Sequence, residues 1–206
     1  MPRHSTRPRS APDRELPDVE SLPADQRERR DGIVDAAVGM LATVDYADIQ
    51  VKAVAAEAGV ALGTLYRYFN SKDHLLAEAL VRWSSGFPTP EAVTTSGDVA
   101  ERLRAVYGRA AAAFERQPRY YGALLHLQAT TDPLAAEQYA TFATRQTDTF
   151  AAVLHDLPDD LRADIVDVMG AMLNQLVRSR HAGTITQAEV KRRLERTADL
   201  IGRGCA

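Results

Sequence analysis

One short run of this 206-residue chain, GTLYRYFNSK from Gly63 to Lys72, sets hydrogen-bonding and charged side chains at close spacing. Thr64 can donate or accept a hydrogen bond, and Tyr66 and Tyr68 carry phenolic hydroxyls. Arg67 is a guanidinium fork and Lys72 a point charge suited to phosphate. Gly63 removes bulk at the place where a backbone would approach a phosphate. No nucleophile, paired acid and base or metal-ligand spacing accompanies them. The chemistry on offer is recognition of a polyanion and of base edges.

Two short helices must hold this set. Val51, Val54, Ala55 and Ala58 fall on one side of a first helix at three- and four-residue spacing, and Gly59 is placed to end it with a positive φ. A second helix is predicted from about Ala61 to Phe69, with Leu62, Leu65 and Phe69 inward and Thr64, Arg67 and Tyr68 outward. A short helix, a glycine turn and a second short helix form a helix-turn-helix, whose second helix enters a DNA major groove.

The run GVALGTLYRYFNSKDHLL resembles the recognition helix and following turn of the TetR family of bacterial repressors, over roughly residues 27 to 84. What the resemblance implies is an N-terminal DNA-binding head and a C-terminal helical domain that takes an inducer and pairs with a second copy. Position by position, it implies DNA contacts from Lys52, Leu62, Gly63, Thr64, Tyr66, Arg67, Tyr68 and Lys72. Arg67 stands as the candidate for guanine readout, and Leu62, where the family often has a polar residue, suits a thymine methyl. The family usually caps the two helices of the motif with Ser or Thr; here Gln50 and Ala61 stand there, a loss of about 1 kcal/mol for each missing cap. The wording ALGTLYRYF-NSKDHLL is most similar to TetR regulators of sterol and lipid breakdown, which implies a hydrophobic CoA thioester as effector.

Around this motif the chain reads as all-α, with about nine helices and no strand signal. Residues 1–22 are rich in Pro, Arg and Ser without apolar period and read as a disordered tail, in which Arg3, Arg7 and Arg9 could touch DNA. Residues 23–71 form the helix-turn-helix domain, and 72–206 a helical effector-binding and dimerisation domain. The first helix, about Asp25 to Val44, carries Ile33, Ala37, Leu41 and Val44 inward and Arg27, Arg29 and Arg30 near its start. Ser71 is the expected cap of a fourth helix reaching Ser84. A Pro- and Gly-broken loop then leads to Asp98, a second cap candidate. Pro118, Asp132-Pro133 and Pro158 open three further helices, the second of them running to about His155. Thr186 and Glu189 form a capping box before the last helix.

The broad properties constrain function. Net charge is −3, and residues 1–72 hold 10 Lys and Arg against 11 Asp and Glu, so bulk charge does not argue for nucleic acid; local clustering does. No apolar run approaches the ~20 residues that cross a bilayer, and the N-terminus lacks the apolar stretch of a secretory signal. The single cysteine, Cys205, has no intrachain partner and suits a reducing cytoplasm. His74, His126, His155 and His181 are scattered outside any metal or catalytic motif, so neither enzyme, cofactor nor metal centre is expected. Tyr107, Phe114, Tyr121, His126, Tyr139, Phe142 and Met169 could line an apolar ligand pocket, and the amphipathic helices of about residues 158–202 could form a homodimer face. The sequence therefore predicts a cytoplasmic, homodimeric repressor on a near-palindromic DNA site, released by a small hydrophobic ligand. The competing reading is a helical ligand-binding or interaction module that does not read DNA.

Overall fold

A computed structural model of the chain describes residues 16–93 and 96–205. Among them are nine α-helices and no strand: α1 (Ala24–Thr43), α2 (Val51–Glu57), α3 (Leu62–Tyr68), α4 (Lys72–Ser84), α5 (Val99–Arg116), α6 (Pro118–Leu127), α7 (Pro133–Ala152), α8 (Asp159–His181) and α9 (Gln187–Gly204). Arg3, Arg7 and Arg9 lie outside the described residues; Leu22, just before α1, is buried.

Local chemistry sets the breaks. Gly59, at φ +65°, closes α2: its N–H donates to Ala56 O (3.1 Å) and that of Val60 to Ala55 O (2.9 Å), satisfying carbonyls the helix end would strand. Ser71 caps α4 by accepting from His74 N (2.9 Å), and Asp98 and Glu101 make a reciprocal capping box on α5. Asp132 accepts from Leu134 N and Ala135 N at the start of α7. Two expectations need correction. Thr186 caps α9 alone, because the Glu189 carboxylate turns instead to Arg192 and Arg193 one turn on. And α7 ends at Ala152, with Val153 and Leu154 buried in the turn that follows.

One contiguous apolar core runs through the molecule. Of the inward stripe expected for α1, Ile33, Ala37 and Leu41 are buried, whereas Val44 lies just past the helix end and is half-buried; α4 packs along α1 on one side and α7 on the other, tying the first three helices to the rest. Farther along, α5 lies against α9, and α8 closes over both. The outer surfaces of α8 and α9 leave Leu161, Val168 and Leu200 exposed, the last two more than half.

Candidate nucleic-acid interface and ligand cavity

Helix α3 is held by packing more than by its own propensity. Neither Gln50 nor Ala61 caps its helix with a side chain, and α3 contains a glycine, which costs about 1 kcal/mol in a helix. Leu65, Tyr68 and Phe69 secure it instead, each almost wholly buried at i, i+3 and i+4. This corrects two readings. Tyr68, expected outside, is 3% exposed and belongs to the core, with no hydrogen-bond partner for its hydroxyl among the described residues. Leu62, expected inside, is 42% exposed: it sits in the first turn, where the side chain leans towards the helix N-terminus and overhangs the packed face.

What remains outward is Leu62, Gly63, Tyr66 and Arg67, with Lys52 exposed on α2 and Thr64 half-buried. A Cβ built on Gly63 would meet nothing within 4 Å, so nothing inside this chain requires a glycine there; the missing side chain matters only to something approaching from outside. The Arg67 guanidinium lies 5.8 Å from the Tyr68 ring centroid with one long contact, 3.5 Å, to Gln26 Oε1. Lys72 is more engaged than expected. Its ammonium donates to Ala47 O (3.2 Å) and lies 4.9 Å from the Tyr46 ring centroid, and burial lowers its pKa against the pull of Asp73 and Asp48.

Two polar clusters, neither foreseen from sequence, lie behind this face. In the first, Arg30 is not part of a solvent-facing basic patch: it is buried, paired with Glu78 of α4, and its guanidinium lies 5.1 Å from the ring centroid of Phe69, the residue that ends α3. His74 lies 3.8 Å from the same carboxylate, and burial pulls its pKa down to about 4, with the neighbouring Arg30 charge acting the same way and Asp132 opposing. In the second, Asp73 accepts from the Tyr46 hydroxyl and from Thr130 Oγ1 (2.8 Å), bridging the link before α2 to the α6–α7 corner. Burial, reinforced by the hydrogen bond to Asp73, keeps the Tyr46 phenol protonated. Long-range polar pairs such as these leave no periodicity to read.

The C-terminal helices, with Phe87 from the loop after α4, line a partly open cavity of about 260 Å³. Of the residues singled out from sequence, Phe114, Tyr121, Tyr139 and Phe142 meet in its wall. The other three do not. Tyr107 is buried in the core, stacked on Phe150 at 4.2 Å with its hydroxyl donating to Val166 O (3.3 Å); Met169 is fully buried; and His126 is exposed, its ring tilted against that of Tyr46 with centroids 4.1 Å apart, and 3.7 Å from Asp73. The wall also holds Gln128, Gln146 and Asn174, polar residues that an apolar pattern does not mark. Asn174 had one signal, a polar residue between Gly170 and Val177 on the inward face of α8. Among the described residues, no His, Cys, Asp and Glu group could hold a metal ion, and no helix is long and apolar enough to cross a membrane.

Comparison with known proteins agrees with this architecture. Residues 33–79 match the model of the bacterial regulatory proteins of the tetR family. The transcriptional repressor KstR of Rhodococcus jostii is 31% identical over 85% of this chain and 84% of its own length. KstR of Mycolicibacterium smegmatis is 35% identical over 64% of this chain and 65% of its own, so the match spans just under two thirds of that relative. A crystal structure of a TetR transcriptional regulator from Rhodococcus sp. RHA1 superimposes with a TM-score of 0.69 over 87% of this chain and 97% of that one, at 23% identity. A packed helix-turn-helix head, the match over it and a near full-length relative lead to one assignment: the chain belongs to the TetR family of bacterial regulatory proteins.

Proposed function

We propose that this protein is a cytoplasmic transcriptional repressor that binds a near-palindromic operator as a homodimer and lets go when a small hydrophobic ligand fills the cavity of its C-terminal helices. The observation that carries the DNA-reading half is the outward face of α3: a glycine with no internal reason to be one, flanked by an exposed leucine, tyrosine and arginine. Arg67 reads a guanine, Leu62 contacts a thymine methyl, and Lys52 and Lys72 hold phosphate. Lys72 reaches phosphate only by leaving Ala47 O, a hydrogen bond it exchanges on the complex. Tyr68 positions Arg67 from beneath and makes no contact of its own.

Two further features support the reading. The apolar side chains exposed on α8 and α9 suit an isologous contact with a second copy, which sets two recognition helices about one turn of DNA apart. The aromatic cavity suits a lipid or sterol acyl group, the effector class implied by the resemblance of the α3 region to regulators of lipid breakdown.

The test is fluorescence anisotropy on DNA from upstream of the protein's own gene, over a salt series. Two subunits per palindromic site, a negative slope of log affinity against log salt, and a loss of about 1–3 kcal/mol for Arg67→Ala are expected. Equal affinity for scrambled duplex, here and across genomic fragments, would instead assign the chain to the ligand-binding or interaction class.

A further inference from the structure

Helices α8 and α9 are joined by a short turn and run antiparallel, and the Thr197 hydroxyl donates to the Met172 sulfur (2.9 Å) across their seam. Val168 of α8 and Leu200 of α9 each lie about one turn from that contact, in the same direction along the pair, and both are more than half exposed. The margins beyond them differ in sign. Asp160, Asp164 and Asp167 are exposed on α8, and Arg192, Arg196 and Arg203 on α9, at spacings of three, four and seven residues that hold each set on one stripe. Several neighbouring charges are matched inside the chain: Glu189 with Arg192 and Arg193, and Asp199 with Arg104 (3.2 Å), while Arg178 donates to the Tyr121 hydroxyl oxygen. Asp164, Asp167 and Arg203 have no ion-pair partner among the described residues.

The direction of the pair limits how a second copy can sit. Arg180, near the end of α8, pairs with Glu115 (2.7 Å) near the end of α5, and α6, which starts there, reaches α1 through the Tyr120 hydroxyl, donating to Val38 O (2.6 Å). Helix α8 therefore runs towards the helix-turn-helix head. A two-fold axis that carries two heads to one side of a DNA duplex runs along α8 and α9, and such an axis lays α8 of one copy over α9 of the other. Counted from the Met172–Thr197 contact at about 1.5 Å per residue, Arg203 stands about 9 Å along the pair, between Asp167 at about 7.5 Å and Asp164 at about 12 Å. Val168 and Leu200 stand at about 6 Å and about 4.5 Å in the same direction.

We propose that charge sets the choice of partner on this face: Asp164 and Asp167 of one copy bracket Arg203 of the other, twice by symmetry, around a centre formed by Val168 and Leu200. This rests on the homodimer reading above and adds which residues select the partner. The apolar centre is permissive, because any chain with a similar face could cover it. The charged margins are selective. A chain with an acid opposite Asp164 and Asp167, or with arginines opposite Arg203, brings like charges together as they lose water. The occupant that the face fits is a second copy of this chain, and a regulator of the same fold with different margins is refused.

Two variants of the full chain test this, Arg203→Glu and the double change Asp164→Arg with Asp167→Arg. All three positions are exposed, so each monomer should keep its fold, which circular dichroism melting checks. Sedimentation velocity is then run on the parent, on each variant alone and on their equimolar mixture. Each variant alone should dissociate about a hundredfold more readily than the parent, since both of its symmetric contacts become like-charged. The mixture should return to within about threefold of the parent, because one contact then holds the exchanged charges facing each other and the other contact the original ones. That rescue also separates a lost pairing from a lost fold. The parent dimer should weaken about tenfold between about 50 mM and 500 mM salt, which an apolar contact alone would not do. Variants that pair as tightly as the parent, a mixture as dissociated as its components, or a parent dimer indifferent to salt overturns the proposal and leaves the homodimer standing. A parent that sediments as a monomer overturns both.

Discussion

Removing the Glu78 carboxylate should be among the most damaging single changes in the molecule. Its side chain is 15% exposed and that of its partner Arg30 8%, so Glu78→Ala leaves a guanidinium out of water with only the Phe69 ring as company. Breaking a buried pair from one side costs about 3–5 kcal/mol, against a total stability of about 5–15 kcal/mol for a typical domain. The expected result in urea denaturation followed by circular dichroism is a loss near 4 kcal/mol on that estimate, and a melting temperature lower by roughly 10 °C at about 2–4 °C per kcal/mol. Glu78→Gln, which keeps an oxygen acceptor, should lose roughly half as much. The double change Arg30→Met with Glu78→Leu should return to within about 1 kcal/mol of the parent, because an apolar pair of similar volume carries no desolvation cost. Since Arg30 also steadies the end of α3, Glu78→Ala should weaken DNA binding even at temperatures where it remains folded. A Glu78→Ala protein within about 1 kcal/mol of the parent, or a double variant as unstable as the single, would refute the account.

Acid should find the same region. The His74 pKa lies at about 4 in the folded chain against 6.5 when free, so the unfolded state takes up the extra proton. Stability is therefore unaffected above pH 6.5 and falls as pH drops from 6.5 towards 4, by about 3 kcal/mol in all; urea titrations across that window should show it, and His74→Leu should flatten that part of the curve. Tyr46→Phe deletes a hydroxyl donating to a carboxylate and should lower stability by about 2 kcal/mol, with faster hydrogen exchange at the α6–α7 corner. Val168→Asp combined with Leu200→Asp should leave the monomer folded, as both side chains are more than half exposed, yet shift sedimentation towards the monomer and reduce operator affinity at least tenfold.

The helices were legible because their punctuation is local. Ser71, Asp98, Pro118, Asp132 and Gly59 act within four residues of themselves, and each sits where the reading put it. The seven-residue α3 was harder: two turns define a face poorly, and Tyr68 and Leu62 exchanged sides because the register of inward residues depends on what α1 and α4 offer beyond its ends. The cavity was half legible for a related reason. Aromatic residues mark an apolar space but cannot say which become wall and which become core, so Tyr107 and Met169 fell on the far side of that division. The Arg30–Glu78 pair joins residues 48 positions apart and the Asp73–Thr130 bond residues 57 apart, separations at which sequence pattern is silent.

The position of α4, shared between α1 on one flank and α7 on the other, bears on how such a protein can be rebuilt. A head cut free before α4 would carry Arg30 without its acid and Phe69 without its cover, and the remaining body would present Leu75, Leu76 and Leu80 to water. Exchange of operator preference between relatives therefore has to move α1 to α4 as one inherited block and then fit a foreign flank to the resident α7. Changes confined to Leu62, Gly63, Tyr66 and Arg67 leave the buried core untouched and escape that constraint. New DNA specificities should arise more readily by point substitution on this exposed face than by recombination across the seam.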